Sequence, residues 1–221
     1  GSVLVVDPGE ADPVNRALET KGASLAGILV THHHFDHVGG VRTLKDRHAC
    51  RVYGLANPGI DGIDETLRDG DRLAVGAYDF EIIAVPGHTL DHIAYYQGGR
   101  NPLLFCGDTL FAGGCGRIFE GTPPMMYSSL RRLAALPGET AVYCAHEYTL
   151  ANLAFARAAE PANAELLERE RDARALRDRG EATLPSTIAL ERATNPFLRA
   201  DQPQLAAELE EPGQRAGANE V

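Results

Sequence analysis

Four times within the first 146 residues, an apolar run of strand length ends in a loop that carries a metal-capable side chain. Leu25 to Val30 leads into "THHHFDHVGG" (31–40), and Tyr78 to Val85 into "VPGHT" with His88. Leu103 to Cys106 leads into "LFCGDTLF" with Asp108, and Ala141 to Cys144 into "VYCAHEYT" with His146. Loops that need only polarity use Ser, Asn and Gly. Repeated imidazoles and carboxylates at strand ends instead converge on one point if the strands are neighbours.

The rest of the chain fits such a fold. Ser2 to Val6 is a β-branched apolar run stopped by the turn signal Asp7-Pro8-Gly9, and Arg51 to Gly54 is another short strand. Asp12-Pro13 opens a helix that Gly22 closes, and Val38 to His48 reads as a second helix. From Asp69 onward come turn-separated strands at Leu73 to Val75, Tyr78 to Val85, Ile93 to Tyr96 and Leu103 to Cys106. Thr122-Pro123 then caps a helix running to about Leu136. Each half thus offers strands followed by a helix, which predicts an α/β (α+β) chain of two packed sheets with helices outside. Beyond Ala145 the strands are expected to stop. Tyr148 to Ala159 and Asn163 to Arg179 are helical by composition, and the tail after Pro212 reads as loose chain.

Counting donors suggests the chemistry. His32, His34, Asp36, His37, His88, Asp108 and His146 are more ligands than one tetrahedral ion takes, and they suit two ions with one carboxylate shared. Metal pairs of this kind sit ~3.5–4 Å apart and bring the pKa of water toward roughly 7, so no side-chain nucleophile is needed. In an extended loop His32 and His34 point the same way, Asp36 and His37 can face a second ion after the turn, and His33 points away as a spectator. His92 reads as structural or as a support behind the ligands, and Asp91 is given no role.

The ordered set "HxHxDH" (His32, His34, Asp36, His37), His88, Asp108 and His146 resembles the metallo-β-lactamase superfamily across residues 1–148. "GCGRIFEGT" (114–122), "CAHEYTLANLAFA" (144–156) and "NPFLR" (195–199) narrow the resemblance to the glyoxalase II (hydroxyacylglutathione hydrolase) family. The resemblance implies a four-layer αββα sandwich over residues 1–150 and a helical glutathione-binding domain over 151–221. It places His32, His34 and His88 on one divalent ion, Asp36, His37 and His146 on the other, and Asp108 on both, with Asp36 and Asp108 as the catalytic carboxylates. Zinc is the expected metal, with iron or manganese as alternatives. Arg117, Phe119, Tyr148 and Arg199 are the implied substrate contacts. Arg117 stands where some relatives have lysine and Phe119 where some have tyrosine. By the same comparison the chain begins later than a typical member.

The activity implied is hydrolysis of S-D-lactoylglutathione to D-lactate and glutathione, the second step of methylglyoxal detoxification. The alternatives are a persulfide dioxygenase-like mononuclear iron enzyme, which would lack the long helical C-terminal part, or another metal-dependent hydrolase of the superfamily. A net charge of −10 argues against nucleic acid as a partner, because phosphate neutralisation needs clustered Lys and Arg. No apolar run reaches the roughly 18 residues of a membrane span, and no signal peptide is visible. Cys50, Cys106, Cys115 and Cys144 lack CxxC spacing and read as reduced thiols. Together these predict a cytoplasmic monomer that acts on a small molecule.

Overall fold

The computed structural model describes residues 1–203 and 205. Its first strand, β1 (Ser2–Val6), is followed by α1 (Ala11–Lys21), β2 (Ser24–Leu29), the single turn α2 (Phe35–Val38), α3 (Val41–His48), β3 (Arg51–Gly54) and β4 (Glu65–Thr66). The strands of this half pair in parallel in the order β1-β2-β3-β4. A parallel sheet covered on both faces needs near-continuous apolar strands, which is the character of β2 and β3. Gly22, left-handed at φ 57°, closes α1 through its N–H to the carbonyls of Glu19 and Leu18.

The second half holds β5 (Arg72–Val75), β6 (Tyr78–Ala84), β7 (Ile93–Gln97), β8 (Leu103–Gly107), the small hairpin β9 (Leu110–Phe111) and β10 (Gly114–Cys115), α4 (Pro123–Ala134) and β11 (Ala141–Cys144). β5 to β8 form an antiparallel meander that β11 joins in parallel beside β8. Exposed and buried residues alternate along β5, the pattern of a sheet with one face on the core. Thr122 caps α4 by accepting from the Met125 N–H, with Pro123 in the first turn.

Two apolar layers hold the sandwich. Leu29, Phe80, Ile82 and Tyr95 fill the space between the sheets, while Ile28 and Val52, on the opposite face of their strands, pack with Leu18 and Leu44 of α1 and α3. Leu104, Leu130, Leu133 and Val142 pack α4 on the other side of the second sheet, joined by Ile188 from further along the chain. Truncating any of these to alanine costs about 2–5 kcal/mol. The wholly buried Tyr95 ties the sheets together by donating its hydroxyl to the Val30 carbonyl at 2.8 Å, one residue before the histidine loop.

After β11 come α5 (Thr149–Ala159), α6 (Ala164–Asp178), β12 (Ser186–Thr187) and α7 (Ile188–Thr194). Two expectations are corrected here. Strands do not stop at Ala145, because Ser186–Thr187 pairs with β11 as a new edge of the second sheet. The helix predicted over Val38 to His48 is two helices broken at Gly39-Gly40, where Gly40 donates its N–H to the Pro8 carbonyl and a Cβ would strike the backbone of residues 8–11. The tail after Pro212 lies outside the described residues.

Candidate metal centre

The four ligand-bearing loops all open at one rim of the sandwich. His34 closes the extended stretch after β2 and stands at the start of α2 in extended geometry, so His32 and His34 share a side while α2 turns Asp36 and His37 around. The result is two donor groups. His32 Nε2 and His88 Nε2 lie 3.1 and 3.0 Å from His34 Nδ1. Asp36 Oδ2 lies 3.4 Å from His146 Nε2 and 3.7 Å from His37 Nε2. Asp108 faces both groups: Oδ1 is 3.3 Å from His37 Nε2 and 3.4 Å from His146 Nε2, and Oδ2 is 3.5 Å from His88 Nε2.

The tautomers follow from the bonds behind the rings. His88 Nδ1 donates to the Arg117 carbonyl at 2.6 Å, so its Nε2 keeps a lone pair for the cluster. Thr31 donates its hydroxyl to Asp7 Oδ2 at 2.7 Å and therefore accepts from His32 Nδ1 at 3.0 Å, which frees His32 Nε2 in the same way. Asp7 Oδ2 also meets His37 Nδ1 at 3.0 Å, and its Oδ1 accepts the Thr31 N–H. Such outer carboxylates orient metal-binding imidazoles and raise their basicity. Asp7 holds this position at φ 48°, a left-handed conformation that costs a non-glycine residue energy.

These donors fit divalent cations. His37 Nε2 and Asp108 Oδ1 are buried 3.3 Å apart without a well-formed hydrogen bond, a costly state that a bound cation would relieve. Burial, reinforced by the surrounding imidazoles, drives His32 far below its ordinary pKa, so its ring stays neutral and available as a ligand. Burial alone would also push His37 down, but the Asp108 and Asp7 carboxylates hold it up, at about 10. Burial likewise works against ionising Asp108, yet His37 and the neighbouring imidazoles keep its pKa below the usual range. Asp108 thus takes its positive charge from a proton on His37, the charge a metal ion would bring instead.

Around the donors lies an open cavity of about 410 Å³ lined by His34, Phe35, Asp36, His88, Asp108, Phe119, His146 and Tyr148. The Tyr148 ring stacks on His146 with centroids 5.0 Å apart, and Phe119 meets His34 and His88 edge-on. The Arg117 guanidinium sits 5.2 Å from the Phe119 ring centroid. Gly116 lets this loop close down, since a Cβ there would overlap the Asp108 carbonyl oxygen and stand 3.3 Å from His88 Nδ1.

Arg199 does not line this cavity. Its guanidinium forms a bidentate pair with Glu160 at 2.8–3.0 Å, beside a different hollow lined by residues 160–165. His33 stands apart from both donor groups: its two ring nitrogens lie 3.3 Å from Asp91 Oδ1 and 3.3 Å from Glu120 Oε1. Asp91, given no role from the sequence, also accepts from Thr89 and Asn57. The structure adds Asp7 and Thr31 to the centre and sets His92 behind the ligands. His92 Nε2 accepts the Asp108 N–H at 3.1 Å, and burial lowers its pKa to about 3. The signal for Asp7 was present in the sequence as a further acidic residue ending an apolar run, but Asp-Pro-Gly reads equally well as a turn. The four cysteines are free, and burial raises the thiols of Cys106, Cys115 and Cys144 too far for a nucleophilic role.

Sequence comparison defines the class first. The profile of the metallo-beta-lactamase superfamily matches residues 1–146, and that of the hydroxyacylglutathione hydrolase C-terminus matches 147–219. A hydroxyacylglutathione hydrolase of Pseudomonas fluorescens is 57% identical over 94% of this chain and 80% of its own length. The chain belongs to the hydroxyacylglutathione hydrolase family of the metallo-beta-lactamase superfamily. Among solved structures, ETHE1 from Myxococcus xanthus is 29% identical with a TM-score of 0.65, covering 88% of this chain and 73% of that one. A protein solved in a di-iron-bound form is 28% identical with a TM-score of 0.62, covering 87% of each chain. The match at the C-terminus favours the hydrolase over the dioxygenase-like alternative.

Proposed function

We infer that this chain is a metal-dependent thioester hydrolase that cleaves S-2-hydroxyacylglutathione, S-D-lactoylglutathione first among them, to D-lactate and glutathione, the second step of methylglyoxal detoxification. The observation that carries the reading is Asp108, whose two oxygens face two separate histidine groups at 3.3–3.5 Å at the floor of an open cavity. His32, His34 and His88 would hold one ion, Asp36, His37 and His146 the second, and Asp108 both. Zinc is favoured over iron or manganese by intrinsic affinity. The di-iron form of a 28% identical relative supports a count of two.

Divalent ions, when bound, supply Lewis acidity that polarises the thioester carbonyl and makes hydroxide available at neutral pH. The chain's own residues do the rest. His32 and His88 present their Nε2 atoms because Thr31 and the Arg117 carbonyl hold the opposite nitrogens. Phe119 and Tyr148 flank the cavity and would sandwich the thioester, with the Arg117 guanidinium at the rim for a substrate carboxylate. A departing thiolate, whose thiol has a pKa of about 8.5, needs no dedicated proton donor. Residues 1–150 would form the metal domain and 151–221 the glutathione-binding part, in a cytoplasmic monomer. Among the described residues no helix is long and apolar enough to cross a membrane.

Metal analysis coupled to a thioester assay tests the reading. Purified protein should hold two ions per chain and hydrolyse S-D-lactoylglutathione. Full metal occupancy with an untouched thioester would sink the substrate assignment.

A further inference from the structure

The C-terminal helices reach the metal centre through the turn of the β9–β10 hairpin, residues 111–114, whose backbone groups are claimed by three side chains further along the chain. Asn152 of α5 donates its Nδ2 to the Ala112 carbonyl at 3.2 Å, and the other two, Asn195 and Glu191, lie about eighty residues beyond the turn. Asn195 Nδ2 donates to the Gly114 carbonyl at 2.8 Å and the Phe111 carbonyl at 3.2 Å. Glu191 Oε2 accepts the Gly113 N–H at 2.9 Å and the Asn195 amide at 3.0 Å. Both residues are fully buried, and the other oxygen of Glu191 is taken by Arg169 and Ser186.

Beyond this turn the chain runs straight against the ligands. Gly116 donates to the Thr109 carbonyl and presses on Asp108 and His88 with no room for a side chain. The next carbonyl, that of Arg117, receives the His88 Nδ1–H. Where the hairpin sits therefore decides where the Arg117 carbonyl sits, and that carbonyl decides which nitrogen of His88 faces the cluster and at what angle. A joint needed only for stability could be apolar, because burying an ion pair seldom adds net stability over well-packed hydrophobic residues. A fully paired polar network instead fixes one geometry.

We propose that Asn195 and Glu191 are positioning residues for the metal centre: by clamping the 111–114 turn they set the Arg117 carbonyl and thereby aim His88 Nε2 at the group it forms with His32 and His34. The helical C-terminal part thus governs metal affinity as well as any role in holding substrate. The inference rests on the two-group metal reading above.

The test uses the full chain, stripped of metal and titrated with Co²⁺ against a chelator while visible absorption is followed. Asn195→Leu removes both donations to the hairpin while keeping the branching at Cγ, and Asn195→Ser does so by shortening the side chain, should the bulkier first variant not fold. Ile82→Ala, in the core between the sheets, is the control for general destabilisation. Either Asn195 variant should bind Co²⁺ about tenfold more weakly, in the range typical of lost outer-sphere partners, and lose kcat more than KM. Ile82→Ala should lose as much melting temperature or more and keep wild-type Co²⁺ affinity. Unchanged Co²⁺ binding in the Asn195 variants, or equal weakening in Ile82→Ala, overturns the inference. Wild-type protein that binds no Co²⁺ would instead overturn the metal reading, and this inference with it.

Discussion

Asp7 Oδ2 lies 3.0 Å from His37 Nδ1, thirty residues further along the chain, the first just past the end of β1 and the second in the helical turn after β2. Parallel pairing of those strands in the register Val6↔Leu29 places the pair, so the first sheet builds the support of a ligand before the ligand loop begins.

Asp7→Asn keeps the shape and removes the charge that holds His37 basic and oriented. Metal affinity should fall about 10–100-fold, the range typical for such partners, as read by chelator competition. Affinity equal to wild type would make the Asp7–His37 contact incidental to metal binding.

Asp108→Ala takes away the one carboxylate that faces both histidine groups. Metal content and thioester hydrolysis should be lost together, and a variant that keeps two ions and full activity would refute the shared role. Melting of the metal-free protein separates this outcome from misfolding.

The two arginines of the matching motifs should behave differently. Arg117→Ala removes a guanidinium at the cavity rim and should raise KM more than it lowers kcat, as expected for uniform binding of a remote group. Arg199→Ala leaves the Glu160 carboxylate without its bidentate partner at 10% exposure, so it should lower Tm and leave KM unchanged. A KM effect at Arg199 would return that residue to the substrate site.

His92 makes the metal-free fold sensitive to acid. Its ordinary pKa of 6.5 applies in the unfolded chain, and burial lowers it to about 3 in the folded one. The unfolded state therefore binds the extra proton between those values, and the contribution of neutral His92 is complete above pH 6.5 and lost as pH falls toward 3. The slope is about 1.4 kcal/mol per pH unit within that window. His92→Gln keeps an acceptor for the Asp108 N–H without titrating, so its Tm should fall less steeply with acid over the same range. Identical slopes in the two proteins would show that His92 does not titrate as described.

The sandwich was legible in the sequence because its strands are apolar runs ended by turn residues, and the donor cluster because histidines at three strand ends and an aspartate at a fourth have few other uses in common. What stayed hidden depends on contacts between distant segments. Gly39-Gly40 breaks a helical pattern only because the backbone of residues 8–11 passes against it. Two residues, Ser186–Thr187, are too few to announce a strand, and only the free edge of β11 makes them one. Arg199 sits in a motif shared with relatives, yet its fate is decided by Glu160, thirty-nine positions away. For His33, alternation gives the direction of the side chain but not that Asp91 and Glu120 wait there.

A carboxylate that divides its two oxygens between two donor groups makes their occupancies one linked quantity. Whatever factor an ion in the first group imposes on affinity at the second is returned unchanged when the filling order is reversed. If both groups take an ion, as proposed, metal supply would act on a single coupled equilibrium, and a half-loaded chain would be an outcome set by that coupling constant and not by either group alone.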